Sequence, residues 1–168
     1  MERDLTRIGE KARKEPETCF TSIYHFVTDE GNLHASYRDL KAGKAPGIDG
    51  VTKKEYEEDL NKNITDLSQR LERMGYQPQP ALRVYIPKPG SDKKRPLGIP
   101  CTEDKLVQRA LARVLEQIYE ADFLDSSYGY RPGRTCHQAL GELGRTIQRK
   151  KVPSVPIMMR HLPRFNLM

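Results

Sequence analysis

The sequence lacks a long apolar run and has little of the material from which a large hydrophobic core is built. No stretch approaches the roughly 20 apolar residues of a transmembrane helix. Residues 2–4 (Glu-Arg-Asp) are charged, unlike the start of a secretory leader. Hydrophobic residues make up 36% of the 168 residues, against about 45–50% in typical globular chains. We therefore expect a cytoplasmic protein of one domain or subdomain, with no membrane span and a modest core.

Paired metal ligands and a phosphate-binding loop are missing as well. Cys19, Cys101 and Cys136 lie far apart, which predicts reduced thiols and excludes a disulfide framework or a C-x2-C zinc site. The glycines near Lys44 do not match G-x-x-x-x-G-K-[ST], so a Walker-type nucleotide site is rejected. The four histidines have no Ser or Cys partner at a recognisable spacing and predict no nucleophilic catalysis.

Positive charge is present in excess, and it lies in the second half of the sequence. The chain has 29 Lys and Arg against 23 Asp and Glu, a net charge of +6. Residues 83–113 carry +5 and residues 126–168 carry +7, whereas residues 1–82 carry −2. Clustered cations favour a polyphosphate partner such as a nucleic acid. Basic runs are also common on solvated faces, so charge alone leaves both interpretations open.

The pattern of apolar residues predicts a mainly helical α+β fold. Thr52 and Glu55 form a capping box for one helix, and Thr102 and Thr135 are expected to cap two later helices. The glycine-rich residues 41–50 are expected to form a loop. Residues 83–100 have strand character on both sides of a Pro-Gly-Ser-Asp turn, which predicts a β-hairpin.

The predicted hairpin collects cations around one turn. Lys88 and Arg95 would lie on its two arms, with Lys93 and Lys94 at the tip. Two cations on a stiff hairpin can clamp a triphosphate, the arginine as a bidentate donor and the lysine as a point charge. Taken alone, the hairpin is better explained by exposed charges that keep the chain in solution.

The hairpin residues belong to a series of five sequence blocks that occur in a fixed order along the chain. They are residues 44–51 (KAPGIDGV), 86–90 (IPKPG), 95–100 (RPLGIP), 104–108 (DKLVQ), and 127–134 (SYGYRPGR) with 137–140 (HQAL). In this order they closely resemble the group II intron reverse transcriptases, or intron maturases, which are retron-type RNA-directed DNA polymerases. The resemblance covers residues 30–150.

The resemblance implies an architecture and a reaction. It implies the mostly helical fingers subdomain of a polymerase right hand, with one β-hairpin and an incomplete palm. Residues 1–43 would be an N-terminal helical extension, 44–150 the fingers and the start of the palm, and 151–168 a divergent tail. The family reaction is DNA synthesis templated by RNA, which implies intron or template RNA, primer DNA and dNTP as partners and Mg²⁺ as cofactor.

The resemblance also assigns roles to individual residues. Lys88 and Arg95 would bind the triphosphate of the dNTP. The template would be contacted by residues of the glycine-rich loop, which are Lys44, Gly47, Ile48, Asp49 and Gly50. Arg131 would either reach the template or form a buried structural ion pair, and both alternatives stay open.

The sequence departs from the family where the catalytic carboxylates would stand. Family members continue into a palm strand with one Asp and a Tyr-x-Asp-Asp turn with two more, whereas no Asp or Glu follows Glu142 here. Two-metal phosphoryl transfer needs such carboxylates to hold ions about 3.5–4 Å apart, and Pro153 and Pro156 suit a central strand poorly. We expect a reading frame truncated or shifted near residue 152, with no catalytic residue, no metal ligand and no polymerase activity by itself. The alternatives are a standalone basic RNA-binding module and an unfolded remnant.

Overall fold

Seven helices and one β-hairpin make up residues 5–90 and 92–149, the part of the chain that the computed structural model describes. The helices are α1 (Thr6–Lys14), α2 (Tyr24–Val27), α3 (Glu30–Asp39), α4 (Lys53–Glu58), α5 (Leu60–Glu72), α6 (Thr102–Asp122) and α7 (Cys136–Arg149). The strands are β1 (Leu82–Pro87) and β2 (Lys94–Ile99). The predicted α+β class is confirmed. Residues 151–168, on which the expectation of a divergent tail rests, lie outside the described residues.

The described chain forms two compact units that divide between Phe123 and Leu124. The first contains α1 to α6 and the hairpin, and the second contains α7 and the loop before it. Within the first unit α1, α2 and α3 all pack on α6. The boundaries expected at residues 43/44 and 150/151 stay predictions. Across the described residues, no helix is both long enough and apolar enough to cross a membrane.

The core of the first unit is built around α6. Leu106, Ala110 and Val114 are fully buried, because a spacing of four residues places all three on one stripe of the helix. Ile64 and Leu67 of α5 are fully buried in the same cluster. Since α3 packs against both α5 and α6, this core fixes the helical frame from which the loops project.

Two predicted caps are confirmed and one is wrong. The Thr52 hydroxyl accepts from the Glu55 amide at 3.3 Å while the Glu55 carboxylate accepts from the Thr52 amide at 2.8 Å. Thr135 and Gln138 make the equivalent pair of bonds at the start of α7. At α6 the N-cap residue is Cys101, without a side-chain cap. Thr102 is already in the helix, and its hydroxyl donates to the Val51 carbonyl instead.

The hairpin is confirmed, with Leu82 opposite Ile99 at its base and Pro87 opposite Lys94 near its tip. The Lys88 amide donates to the Lys93 carbonyl at 3.0 Å, which extends the ladder by one more pair. Every residue of the two strands except Ile99 is exposed. A two-stranded hairpin has marginal stability by itself, so its placement depends on how its base is held.

Candidate nucleic-acid interface

Three cations share one face of the hairpin. Arg95 lies opposite Ile86, and Lys88 lies opposite Lys93 at the next position of the same face. Because successive side chains of a strand alternate between faces, these three cations lie on the face of Ile86, whereas Lys94 lies on the other. The register therefore brings together Lys88 and Arg95, the two residues that the resemblance assigns to a triphosphate.

The same face becomes apolar towards the base of the hairpin. Leu82, Val84, Ile86 and Leu97 alternate onto it and are 37–46% exposed. Cations at the tip and apolar side chains below them suit a ligand that combines phosphate groups with an apolar ring. They also leave a hydrophobic surface open to solvent, which is a common property of interaction sites.

The glycine-rich loop is a tight turn with an exposed rim. The Gly50 amide donates to the Gly47 carbonyl at 3.2 Å, and the Asp49 carboxylate accepts from the Val51 amide at 3.2 Å. Gly50 has φ of 72°, a left-handed conformation that favours glycine. Lys44, Ile48, Asp49 and Gly50 are exposed, whereas Gly47 is buried.

An open cleft of about 320 Å³ lies between this loop and the base of the hairpin. Its hairpin wall includes Leu97 and Ile99, and within the described chain none of its lining residues is acidic. Four lysines line it, and these are Lys41, Lys44, Lys53 and Lys105. The cleft therefore combines apolar walls with a concentration of positive charge.

Two of the four cleft lysines are held by the protein itself. The Lys53 ammonium donates to the Leu40 carbonyl at 2.5 Å and lies 4.6 Å from the centre of the Tyr37 ring. The Lys105 ammonium donates to the Ala45 carbonyl at 2.8 Å. Of these four lysines, only Lys44 is a candidate template-binding residue on sequence grounds. The DKLVQ block contains Lys105, but nothing in the sequence indicated that this side chain reaches the glycine-rich loop.

Arg131 is buried in the loop that precedes α7. The residue is only 8% exposed. Its guanidinium donates to the Leu124 and Ser127 carbonyls, both at 2.9 Å. The preceding residue, Tyr130, has φ of 58° and is fully exposed. The burial agrees with a structural role, but the acceptors of these bonds are main-chain carbonyls of its own loop, so the ion pair also stays a prediction. Its contact with a template stays a prediction.

Asp104 forms a polar anchor that the sequence pattern does not indicate. It is 4% exposed, and its carboxylate accepts from the Tyr76 hydroxyl and, at 3.2 Å, from the Gln79 amide. Burial, reinforced by the hydrogen bond to Asp104, raises the pKa of the Tyr76 hydroxyl above its usual range. Tyr76 therefore stays a neutral donor at any physiological pH. A buried Asp in the first helical turn resembles an ordinary N-terminal charge when only the sequence is read.

The described residues contain no cluster of ligating side chains for the Mg²⁺ that the family resemblance implies. Among residues 5–90 and 92–149, no three His, Cys, Asp or Glu side chains lie close enough together to hold a metal ion. The roles proposed for these residues therefore include no metal-bound step.

The proteins to which the chain is similar include a group II intron-encoded protein and a protein named for the cob intron in which it lies. A scan of family models finds no match. The chain is 36% identical over 141 residues, 84% of its length, to group II intron-encoded protein LtrA of Lactococcus lactis subsp. cremoris. It is 46% identical over 132 residues, 77% of its length, to protein YkfC of Escherichia coli (strain K12). It is also 39% identical over 116 residues, 68% of its length, to an uncharacterized 91 kDa protein in the cob intron of Schizosaccharomyces pombe.

These matches confirm the class that the five sequence blocks indicated, the intron-encoded reverse transcriptases and maturases. More narrowly, the chain belongs to the group II intron-encoded proteins. It spans 24% of the length of LtrA, 34% of YkfC and 14% of the fission-yeast protein. The activity of such longer proteins is therefore carried over only as a proposal.

Proposed function

We propose that the chain is the fingers part of a group II intron-type RNA-directed DNA polymerase, which binds dNTP phosphates and template RNA. The observation that carries the proposal is the register of the hairpin, which puts Lys88, Lys93 and Arg95 on one exposed face. The glycine-rich loop and the lysine-lined cleft lie at the base of that hairpin. Phosphates and a nucleic-acid strand can thus be bound by neighbouring surfaces of the first unit.

The chemistry of the hairpin tip fits a polyphosphate. Arg95 supplies a planar donor fork for two phosphate oxygens, and Lys88 and Lys93 supply point charges beside it. All three side chains are exposed, so binding there involves little desolvation and is screened by salt. We therefore expect weak, salt-sensitive binding of free dNTP by the chain.

The glycine-rich loop is proposed as the surface that contacts the template. Lys44 can bind a backbone phosphate, and Ile48, 56% exposed, can pack on a sugar or base. Asp49 and Gly50 contribute through the turn that they form, and Gly47 by seating the loop against Cys101. Arg131 enters the proposal as the residue that holds the loop around Tyr130 in the second unit.

Intron RNA is the partner that family membership supports, since the similar LtrA protein is named for the group II intron that encodes it. Primer DNA and Mg²⁺ are proposed for the reaction of a full-length family enzyme. The chain alone is proposed to bind without catalysis, and a primer-extension assay on an RNA template is expected to give no product. Mg²⁺-dependent extension of the primer by the purified chain would refute this.

Removing two tip cations tests the proposal most directly. The double variant K88A/R95A should bind dNTP about tenfold more weakly, because two exposed cations that each contribute about 0.7 kcal/mol together account for about 1.4 kcal/mol of binding free energy. The matched control is K62A/R73A, which removes one Lys and one Arg from exposed positions in α5 and just after it. Calorimetry at low salt gives both affinities. An equal loss of dNTP affinity in the two variants would mean that binding depends on net charge and not on the hairpin tip.

A standalone RNA-binding module without catalysis is the second candidate function, favoured by the acid-free lysine cleft. It predicts tight RNA binding together with no measurable dNTP binding. The same calorimetric titration, carried out with a single-stranded RNA and with dNTP, separates the two candidates.

A further inference from the structure

The first turn of α6, residues 101–105, holds both ends of the glycine-rich loop. The Thr102 hydroxyl donates to the Val51 carbonyl at 2.6 Å, at the end of the loop. The Lys105 ammonium donates to the Ala45 carbonyl at 2.8 Å, near its start. Two side chains of one helical turn thus fix the two ends of a segment that contains three consecutive exposed residues, 48–50.

The middle of the loop rests on the same turn through its backbone. A Cβ atom added to Gly47 would lie 2.5 Å from the Cys101 Cα and 2.6 Å from the Cys101 nitrogen. Separations that short do not occur between real non-bonded atoms, so only glycine permits this approach. Cys101 is buried beneath it. One turn of helix therefore supports the loop at its start, middle and end.

The base of the hairpin is fixed to this turn as well. Strand β2 ends at Ile99, and Pro100 leads directly into Cys101. On the other side, Asp104 accepts from the Gln79 amide and the Tyr76 hydroxyl, in the segment that leads into β1. Both arms of the hairpin are thus held where they meet the first turn of α6.

The length of the hairpin makes this attachment important. A strand rises about 3.3 Å per residue, so the cationic tip lies roughly 20 Å from the base. A small rotation at the base would move the tip by several ångströms relative to the loop. We infer that the first turn of α6 sets the position of the glycine-rich loop relative to the cationic face of the hairpin. Thr102, Asp104 and Lys105 are then positioning residues.

A distance measurement tests the inference without any ligand. Nitroxide labels are attached at Ile48→Cys in the loop and Asp92→Cys at the tip, in a background with the exposed Cys19 and Cys136 changed to Ser and the buried Cys101 kept. The variant T102V/K105M removes both donors to the loop while preserving side-chain size. We expect its loop-to-tip distance distribution to be about twofold broader than that of the parent. A distribution of unchanged width would overturn the inference.

Three further variants separate positioning from general loosening. T21V/K62M makes the same two chemical changes at exposed sites and should leave the distribution narrow. V114A opens the core far from the loop and should lower the melting temperature without broadening the distribution. T102S/K105R restores both donors and should restore the narrow distribution. Broadening by V114A equal to that by T102V/K105M would overturn the inference, because the effect would then follow stability.

The functional consequence of this inference rests on the proposed function, in which the glycine-rich loop contacts template RNA. We therefore also measure RNA binding by the same variants. If T102V/K105M broadens the distance distribution and also weakens binding of a single-stranded RNA, both stand. If it broadens the distribution and RNA affinity is unchanged, the positioning role stands and the template-binding role of the loop fails.

Discussion

The Asp39 carboxylate joins α3 to α6 by accepting hydrogen bonds from two arginines. Arg109 donates to it at 2.9 Å and Arg113 at 3.1 Å. Arg113 also donates to the side chain of Asn32 at 3.0 Å, whose amide in turn donates to the Phe26 and Ala110 carbonyls. The partly exposed ion pairs of Asp39 are thus linked, through Arg113, to the buried Asn32 side chain between the helices. Such a network is worth more than an isolated surface pair, because each member restricts the others.

The pairing of Asp39 predicts a pH dependence of stability. Burial raises the pKa of this carboxyl, but the hydrogen bonds and charges of Arg109 and Arg113 outweigh it and leave the pKa below its usual value. A carboxyl with a lowered folded-state pKa contributes stability above its unfolded pKa of about 3.9, and this is lost as the pH falls through the folded value. Because Asp39 is about one-third exposed, the contribution at pH 7 is only about 1 kcal/mol or less.

The test compares urea unfolding of the parent and Asp39→Asn at pH 7 and pH 3. Asp39→Asn should be less stable at pH 7, and the difference should shrink at pH 3. Asp92→Asn, an exposed carboxyl in the hairpin turn, is the matched control and should change stability little at either pH. A constant difference for Asp39→Asn would show that geometry, and not charge, carries the effect.

At the scale of elements, the local part of the fold could be predicted and the long-range part could not. The capping box at Thr52, the cap at Thr135 and the pairing of the two hairpin strands follow from residues close together in sequence, and all three are confirmed. The error at Thr102 is instructive, because its hydroxyl has a partner 51 residues away in sequence. Lys105 bonds the loop across 60 residues. No local sequence pattern distinguishes side chains with such distant partners from side chains in solvent. The cleft and the helical turn that holds the loop could therefore be identified only from the structure.

The central role of α6 predicts a sharp contrast between two of its leucines. Leu106 is fully buried in the core, whereas Leu111 is 37% exposed on the same helix. Leu106→Ala should cost about 2–5 kcal/mol through reduced burial and a residual cavity, a large part of the stability of a small domain. Leu111→Ala should cost much less. Urea unfolding followed by circular dichroism measures both, and similar costs would contradict the assignment of the core to the buried stripe of α6.

At the scale of the whole molecule, positive charge is distributed over distinct surfaces and is not uniform. The hairpin tip carries Lys88, Lys93 and Arg95, and the cleft at its base is lined by four lysines. The core beneath them is made by α6 and the helices that pack on it. The net charge of +6 would attract any polyanion. If the tip and the cleft bind different ligands, they are specific binding sites. If they do not, the chain attracts polyanions through its overall positive charge.

Crossing two variants with two ligands answers that question. K41A/K44A removes two exposed lysines of the cleft, and K88A/R95A removes two cations of the tip. Each phosphate that a variant no longer neutralises should reduce the slope of log K against log salt by about 0.7 for a single-stranded nucleic acid. On the same basis K41A/K44A should lower the RNA slope by about 1.4 and leave dNTP binding nearly unchanged, whereas K88A/R95A should weaken dNTP binding and change the RNA slope less. Equal effects of both variants on both ligands would mean that the molecule attracts polyanions through its overall charge, with no division between cleft and tip.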